Sequence, residues 1–282
     1  PRSLQHRARS LAPRSPLPIV RMAFSLSSTF EELPLTASHS KDPWVDLRLY
    51  GRRLLKPSSL DVEYVLWQML QLCVEPKRVY RTTTFHSRVK HQWARDDPAF
   101  VVVLAYMLAV AGVAWCLAFG QGALETLSLL LYVLLFDFVA LGSAIASAGW
   151  WGSNNYLRDD ALREHVWVAA ADAKEEHVEW RYAFDVHTNA FVPTFLLLYV
   201  VQYLLLPLLL RGGVLAALLS DTLYAAAFTI YWYLTFLGYS ELPFLRGAVY
   251  FLYPVVPVVG AYVLALLLRL NATEIVVAVY FG

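Results

Sequence analysis

Residues 99–119, AFVVVLAYMLAVAGVAWCLAF, pass without one charged side chain, and no other feature limits the fold as much. About 20 apolar residues in a helix cross a hydrocarbon layer about 30 Å thick, where every backbone N–H and C=O must be satisfied within the segment. Four more long apolar runs without Lys or Arg follow, at residues 124–148, 191–210, 214–237 and 248–268. Pro193, Pro207, Pro254 and Pro257 interrupt the third and fifth, which membrane helices tolerate when neighbours take up the freed carbonyls. The expected fold class is all-α: a polytopic membrane bundle of five transmembrane helices. Only the stretch FLGYSELPFLR, residues 236–246, is open to two readings, a full connection or a re-entrant turn.

Composition agrees. Charged residues make up 16% of the 282, against about 25% in soluble domains. The cysteines, Cys73 and Cys116, are too few for a disulfide framework or a zinc site. No metal and no cofactor is expected.

Cations set the expected orientation. Sixteen of the 23 Lys and Arg precede the first span; Arg158, Arg163, Lys174 and Arg181 lie between the second and third, Arg246 between the fourth and fifth, and only Arg211 and Arg269 opposite. The positive-inside bias then puts the amino terminus in the cytoplasm and the carboxyl terminus, after five crossings, in the lumen. The expected domain plan is a disordered tail at 1–57, a cytoplasmic segment at 58–98, a membrane domain at 99–268 with a cytoplasmic loop at 152–190, and a short lumenal tail at 269–282. Residues 1–30, rich in Arg, Ser and Pro and without an acidic residue, read as a transit peptide, as untranslated sequence over 1–21 ahead of a start at Met22, or as plain tail. The sequon Asn271-Ala272-Thr273 sits so close to the last span that it is expected to be inaccessible to glycosylation.

Residues 58–75 place Val62, Val65, Leu66, Met69, Leu72 and Cys73 at helical spacing, with Ser58 and Ser59 as caps and Pro76 as a stop. This helix is too polar to span. It either packs on the bundle or lies in the membrane interface with Tyr64 and Trp67 at headgroup depth. Beyond it, Lys77, Arg78, Arg81, Arg88, Lys90 and Arg95 alternate with Tyr80, Phe85 and Trp93. A groove for RNA has this composition, and so does a juxtamembrane segment held to anionic lipid; the neighbouring span favours the bilayer.

At the threshold of the first span stands QWARDDPAF, residues 92–100. Asp97 before Pro98 suits a helix start, an acceptor for orphan amides followed by a residue with none to satisfy, and Asp96 adds charge at the positive end of the dipole. Arg95 and Trp93 would anchor that threshold. A second polar constellation, EEHVEWRYAFDVHTNAF at 175–191, carries His177, Glu179, Trp180, Asp185 and His187. It lacks paired histidines at metal spacing and a nucleophile with a base. The favoured reading is a hydrogen-bonded closure, joined to the first threshold through Arg181 or Arg95. Within the membrane Asp137 stands out, with Gln202, Tyr231 and Tyr233 as expected partners. A structural link between helices is preferred to a proton path.

Several segments carry a resemblance. WQML at 67–70, P-x-RVYR at 76–81, QWARDDPAF at 92–100, EW-x-YAFDVH-x-NAF at 179–191, TFLGYS-x-LPFL at 235–245 and LYP at 252–254 resemble the Unc-fifty family of eukaryotic Golgi membrane proteins. The resemblance implies a five-span protein of the Golgi and early secretory membranes with a cytosolic amino terminus and no enzymatic activity. Animal members look like trafficking or maturation factors for multi-subunit receptors, notably nicotinic acetylcholine receptors. Fungal members are similar to a membrane partner of large Arf guanine-nucleotide exchange factors, and RNA binding has been attached to the family. No catalytic residues carry over. The expected function is a non-enzymatic adaptor for vesicle-mediated protein transport, with Arg78, Tyr80, Arg81, Trp93, Arg95, Asp96, Asp97, Glu179, Trp180, Asp185 and His187 at a partner surface. The alternative is a small proton-linked transporter or lipid-handling protein using Asp137 and the Asp185/His187 pair.

Overall fold

The computed structural model describes residues 61–82, 93–95, 98–158 and 177–282. They are helical, with no strand beyond an isolated antiparallel bridge between Arg158 and Leu245. A short helix, α1 (Val62–Val74), precedes five long ones: α2 (Ala99–Ala118), α3 (Ala123–Leu157), α4 (Trp180–Leu209), α5 (Val214–Ser240) and α6 (Ala248–Leu268). All five are long and apolar enough to cross a membrane, and the stretch at 236–246 comprises the last turn of α5 and the short link toward α6. The face at which α2 begins is called the threshold face below, and its opposite the far face.

α1 starts at Asp61, whose carboxylate accepts the Tyr64 amide at 3.1 Å. Ser58 and Ser59, the expected caps, lie outside the described residues. Val65, Met69 and Leu72 are the buried stripe, seated on α2 and α4. Pro76 does more than stop this helix: after a break at Glu75 it opens a second helical stretch over residues 76–82, the first-turn position where a missing N–H does no harm.

Two spans are longer than their apolar runs. α3 continues to Leu157, and α4 begins at Trp180, eleven residues before the apolar run at 191, so helix occupies both flanks of the segment assigned to the 152–190 loop. Three π-helical stretches interrupt the regular winding: Val133–Ala140 and Ser153–Leu157 in α3, and Leu196–Val201 in α4. Where bonding shifts to i→i+5, carbonyls come free for other donors. The Tyr199 carbonyl in the third stretch accepts the Trp115 indole N–H at 2.9 Å, fastening α4 to α2. Between α4 and α5 the turn is made by Gly212 (φ 76°) and Gly213 (φ 93°), a left-handed pair that side chains would strain.

α4 is the hub, packed on α1, α2, α3 and α5, and its residues from Val186 to Phe195 are buried without a break. Because lipid tails are as apolar as leucine, close packing and polar links rather than the hydrophobic effect hold such helices together. Residues 269–282 are no tail. Arg269 (φ 54°) turns the chain back, and a final helix, α7 (Ala272–Phe281), packs on α5 and stacks Phe281 on Phe119, ring centroids 4.4 Å apart.

Candidate functional site at the threshold face

Arg95 ties the threshold together through its backbone and its side chain. Its amide donates to Asp185 Oδ2 at 2.7 Å, and its carbonyl accepts from Arg181 Nη2 at 2.8 Å. Its guanidinium donates through Nη2 to Asn189 Oδ1 and lies 4.0 Å from the centroid of the Phe100 ring, a cation–π contact sheltered from water. Asp185 and Asn189 are one helical turn apart, so α4 presents them side by side. Arg95 and Arg181 both serve the closure, and Asn189 was missed: an amide among polar residues carries no charge signal. At the start of α2 the Pro98 carbonyl accepts the Val102 amide at 3.1 Å. Asp96 and Asp97, expected to cap this helix, lie outside the described residues.

Beside this clamp Trp93 sets its edge against Tyr182 and Phe244, at centroid distances of 6.1 and 6.3 Å. The Tyr182 hydroxyl donates to the Gly238 carbonyl at 2.7 Å. Asn154 closes the other side by bonding both backbone groups of Val178, at 2.9 and 3.0 Å. Tyr80 is fully buried near Asn189 and Arg95, and burial pushes its phenol well above the ordinary range. These are bracing roles.

Other candidates face outward. Arg81 is exposed, and so is Arg78, which pairs loosely with Glu75 at 4.0 Å and lies 6.0 Å from the Trp67 ring. Trp180 is exposed as well; it donates to Ser147 Oγ at 3.0 Å and stacks on Phe184. Glu179 is half-buried at the start of α4 and makes no side-chain cap bond.

Asp185 and His187 do not form a pair. Two positions apart on a helix, they point to different sides: Asp185 meets Arg95, while His187, 4% exposed, meets the Tyr231 hydroxyl through Nδ1 at 2.8 Å. Its ring lies where a Cβ on Gly142 would stand, so glycine there is what lets α3 and α4 approach. Among the described residues no three His, Cys, Asp or Glu groups converge as a metal site would require.

With this geometry in view, comparison with known proteins is direct. The model of the UNC-50 family matches residues 50–281. This chain belongs to the UNC-50 family. It is 42% identical to the protein unc-50 homolog of Dictyostelium discoideum, over 83% of this chain and 87% of that one. It is 40% identical to the protein unc-50 homolog of Homo sapiens, over 82% and 85%, and 39% identical to that of Danio rerio, over 80% and 84%. No solved structure matches.

In this UNC-50 family member, segments quoted above for the resemblance meet in space although they are far apart in sequence. Ala94, Tyr182, Val186, Tyr239, Leu242 and Phe244 form one buried cluster at the threshold face, drawn from the stretches at 92–100, 179–191 and 235–245. Asp137 is placed otherwise than expected. Its Oδ2 accepts from the Tyr280 hydroxyl at 2.7 Å, whereas Gln202 Nε2 donates to Tyr224 (2.9 Å) and Thr273 (3.2 Å), and Tyr231 is engaged by His187. Tyr280 escaped notice because α7, ten residues long, is too short to register as a membrane segment.

Proposed function

We propose that this protein is a non-enzymatic Golgi membrane adaptor whose threshold face lies in the cytoplasm, where it recruits or positions an Arf guanine-nucleotide exchange factor. In that role it supports vesicle-mediated transport and aids the maturation or surface delivery of membrane cargo such as multi-subunit receptors. The observation that carries the reading is the division of labour at the threshold: Trp93, Arg95, Asp185 and Tyr80 are spent on bracing, which leaves Arg78, Arg81 and Trp180 exposed on a rigid base. A preorganised surface binds without paying for loop ordering. The cation bias supports the orientation, sixteen of 23 Lys and Arg preceding α2.

The test is co-isolation of the exchange factor from Golgi membranes in gentle detergent. Wild type should recover it, and Arg78→Glu/Arg81→Glu should lose it while keeping its level and Golgi location. Failure of the wild type to recover it despite Golgi residence would overturn the reading and turn attention to transport assays of Asp137→Asn.

A further inference from the structure

The threshold half of the bundle carries a half-open cavity of about 390 Å³ that the adaptor role leaves unused. α3 packs on α4, and α6 packs on α5 without burying a single residue of its own. The cavity lies between the outer helices α3 and α6 and is floored by α4 and α5. Its back wall is the stacked pair Tyr239 and Phe251, 3.9 Å between centroids, against which Gly149 offers no side chain. At Gly152, also in the lining, an added Cβ would meet nothing within 4 Å.

The lining is almost all carbon. Of its few polar groups, His187 Nδ1 meets the Tyr231 hydroxyl and Thr235 Oγ1 donates to the Tyr231 carbonyl at 2.9 Å, while the buried His187 Nε2 has no hydrogen-bond partner. Water needs two to four polar partners to settle in such a space, and a polar solute would lose its hydration for nothing. Tyr156 and Tyr250, 72% and 56% exposed, line the cavity at the threshold ends of α3 and α6, two helices long and apolar enough to cross a membrane.

The rim is charged. The Arg246 amide donates to the Leu157 carbonyl at 2.7 Å, and Arg158 bridges to Leu245. This backbone pairing sets two guanidinium-bearing residues together at the threshold end of the crevice. Glu241 lies on the same connection, Asp159 and Asp160 follow Arg158 in the sequence, and Arg158, Arg246 and Glu241 already engage neighbours. The planar guanidinium forks of Arg158 and Arg246 suit a phosphate joining that network. A sterol hydroxyl would gain little from it.

We propose that this crevice seats one acyl chain of a membrane glycerophospholipid, its phosphate at the Arg158 and Arg246 rim. The full-length protein in phosphatidylcholine vesicles would be photolabelled with a phosphatidylcholine bearing a diazirine on its acyl chain, and the labelled peptides mapped. Label should concentrate in residues 145–157 and 250–254. Gly152→Leu, whose Cβ enters open space, should reduce that label about tenfold while leaving label on α6 at the exposed Val259 and Leu267 unchanged, a loss matching a well-filled apolar subsite. Arg158→Gln/Arg246→Gln should lower it without filling the crevice. Even labelling of both regions, insensitivity to Gly152→Leu, or preferential capture of a photoactivatable sterol at the same peptides would each overturn the proposal.

Discussion

The Arg95 amide and the Asp185 carboxylate, 90 positions apart in the chain, meet at 2.7 Å, and this contact fixes the start of α2 against the first turns of α4. A charged acceptor on a backbone donor is worth about 1.5–3 kcal/mol, and removing it strands the donor. Asp185→Ala should therefore destabilise the protein by about 2 kcal/mol, read as a lowered unfolding temperature in detergent. Asp185→Asn keeps an acceptor and should lose less. Equal losses would mean that Asp185 acts through its charge on Arg95 and Arg181 rather than through this bond.

Gly238 sits where α4, α5 and the 76–82 stretch converge. A Cβ there would come within 2.7 and 2.9 Å of the Val186 methyls and 3.2 Å of Tyr80 Cε1. Alanine improves helix propensity by about 1 kcal/mol, but overpacking a tight contact costs about 1–3 kcal/mol and a β-branched side chain has no rotamer to yield into. Gly238→Ala should lower stability, and Val186→Ala in the same chain should restore part of it. A double-mutant cycle on unfolding temperatures measures that coupling.

How much of this was legible in the sequence follows from which interactions are local. The five spans were legible because apolar length without Lys or Arg is a property of a single segment. The start of α4 was not: Arg181, Asp185, His187 and Asn189 read as loop, and they are helical because Arg95 and Tyr231, distant in sequence, satisfy them. The same holds for α7, whose ten residues declare neither period nor length enough to span, and whose placement depends on Asp137, Ser220 and Gln202. Arg95 and Asp185 could be named as residue types at two thresholds; that their bond is to the backbone, with Asn189 taking the guanidinium, is geometry no spacing reveals.

Asp137 and Tyr280 give a test that separates structure from transport. If the 2.7 Å bond is a strut, Tyr280→Phe should leave a carboxyl unpartnered and cost about 1–3 kcal/mol, while Asp137→Asn, which can still accept the hydroxyl, should be close to neutral. Both variants should support normal traffic of cargo when their levels are matched. Loss of function in Asp137→Asn with unchanged thermal stability would assign the carboxyl a proton-handling role instead.

Asn271 reads as a glycosylation acceptor and is built as a helix cap. Its Oδ1 accepts the Thr273 and Glu274 amides at 3.1 and 3.3 Å, its Nδ2 donates to the Leu209 carbonyl at 2.8 Å, and Thr273 is fully buried against Ser220. The amide nitrogen that a glycan would require is thus held inside the bundle, and unfolding α7 to free it would also break the Ala272 bond to Asp221. Glycosidase treatment of the protein from cells should leave its electrophoretic mobility unchanged. Asn271→Ala should nonetheless cost about 1 kcal/mol through the lost cap, whereas Asn271→Asp, which keeps the acceptor and removes the sequon, should retain most of the capping stability; a mobility shift on glycosidase treatment that Asn271→Asp abolishes would show that α7 is open when the glycan is added.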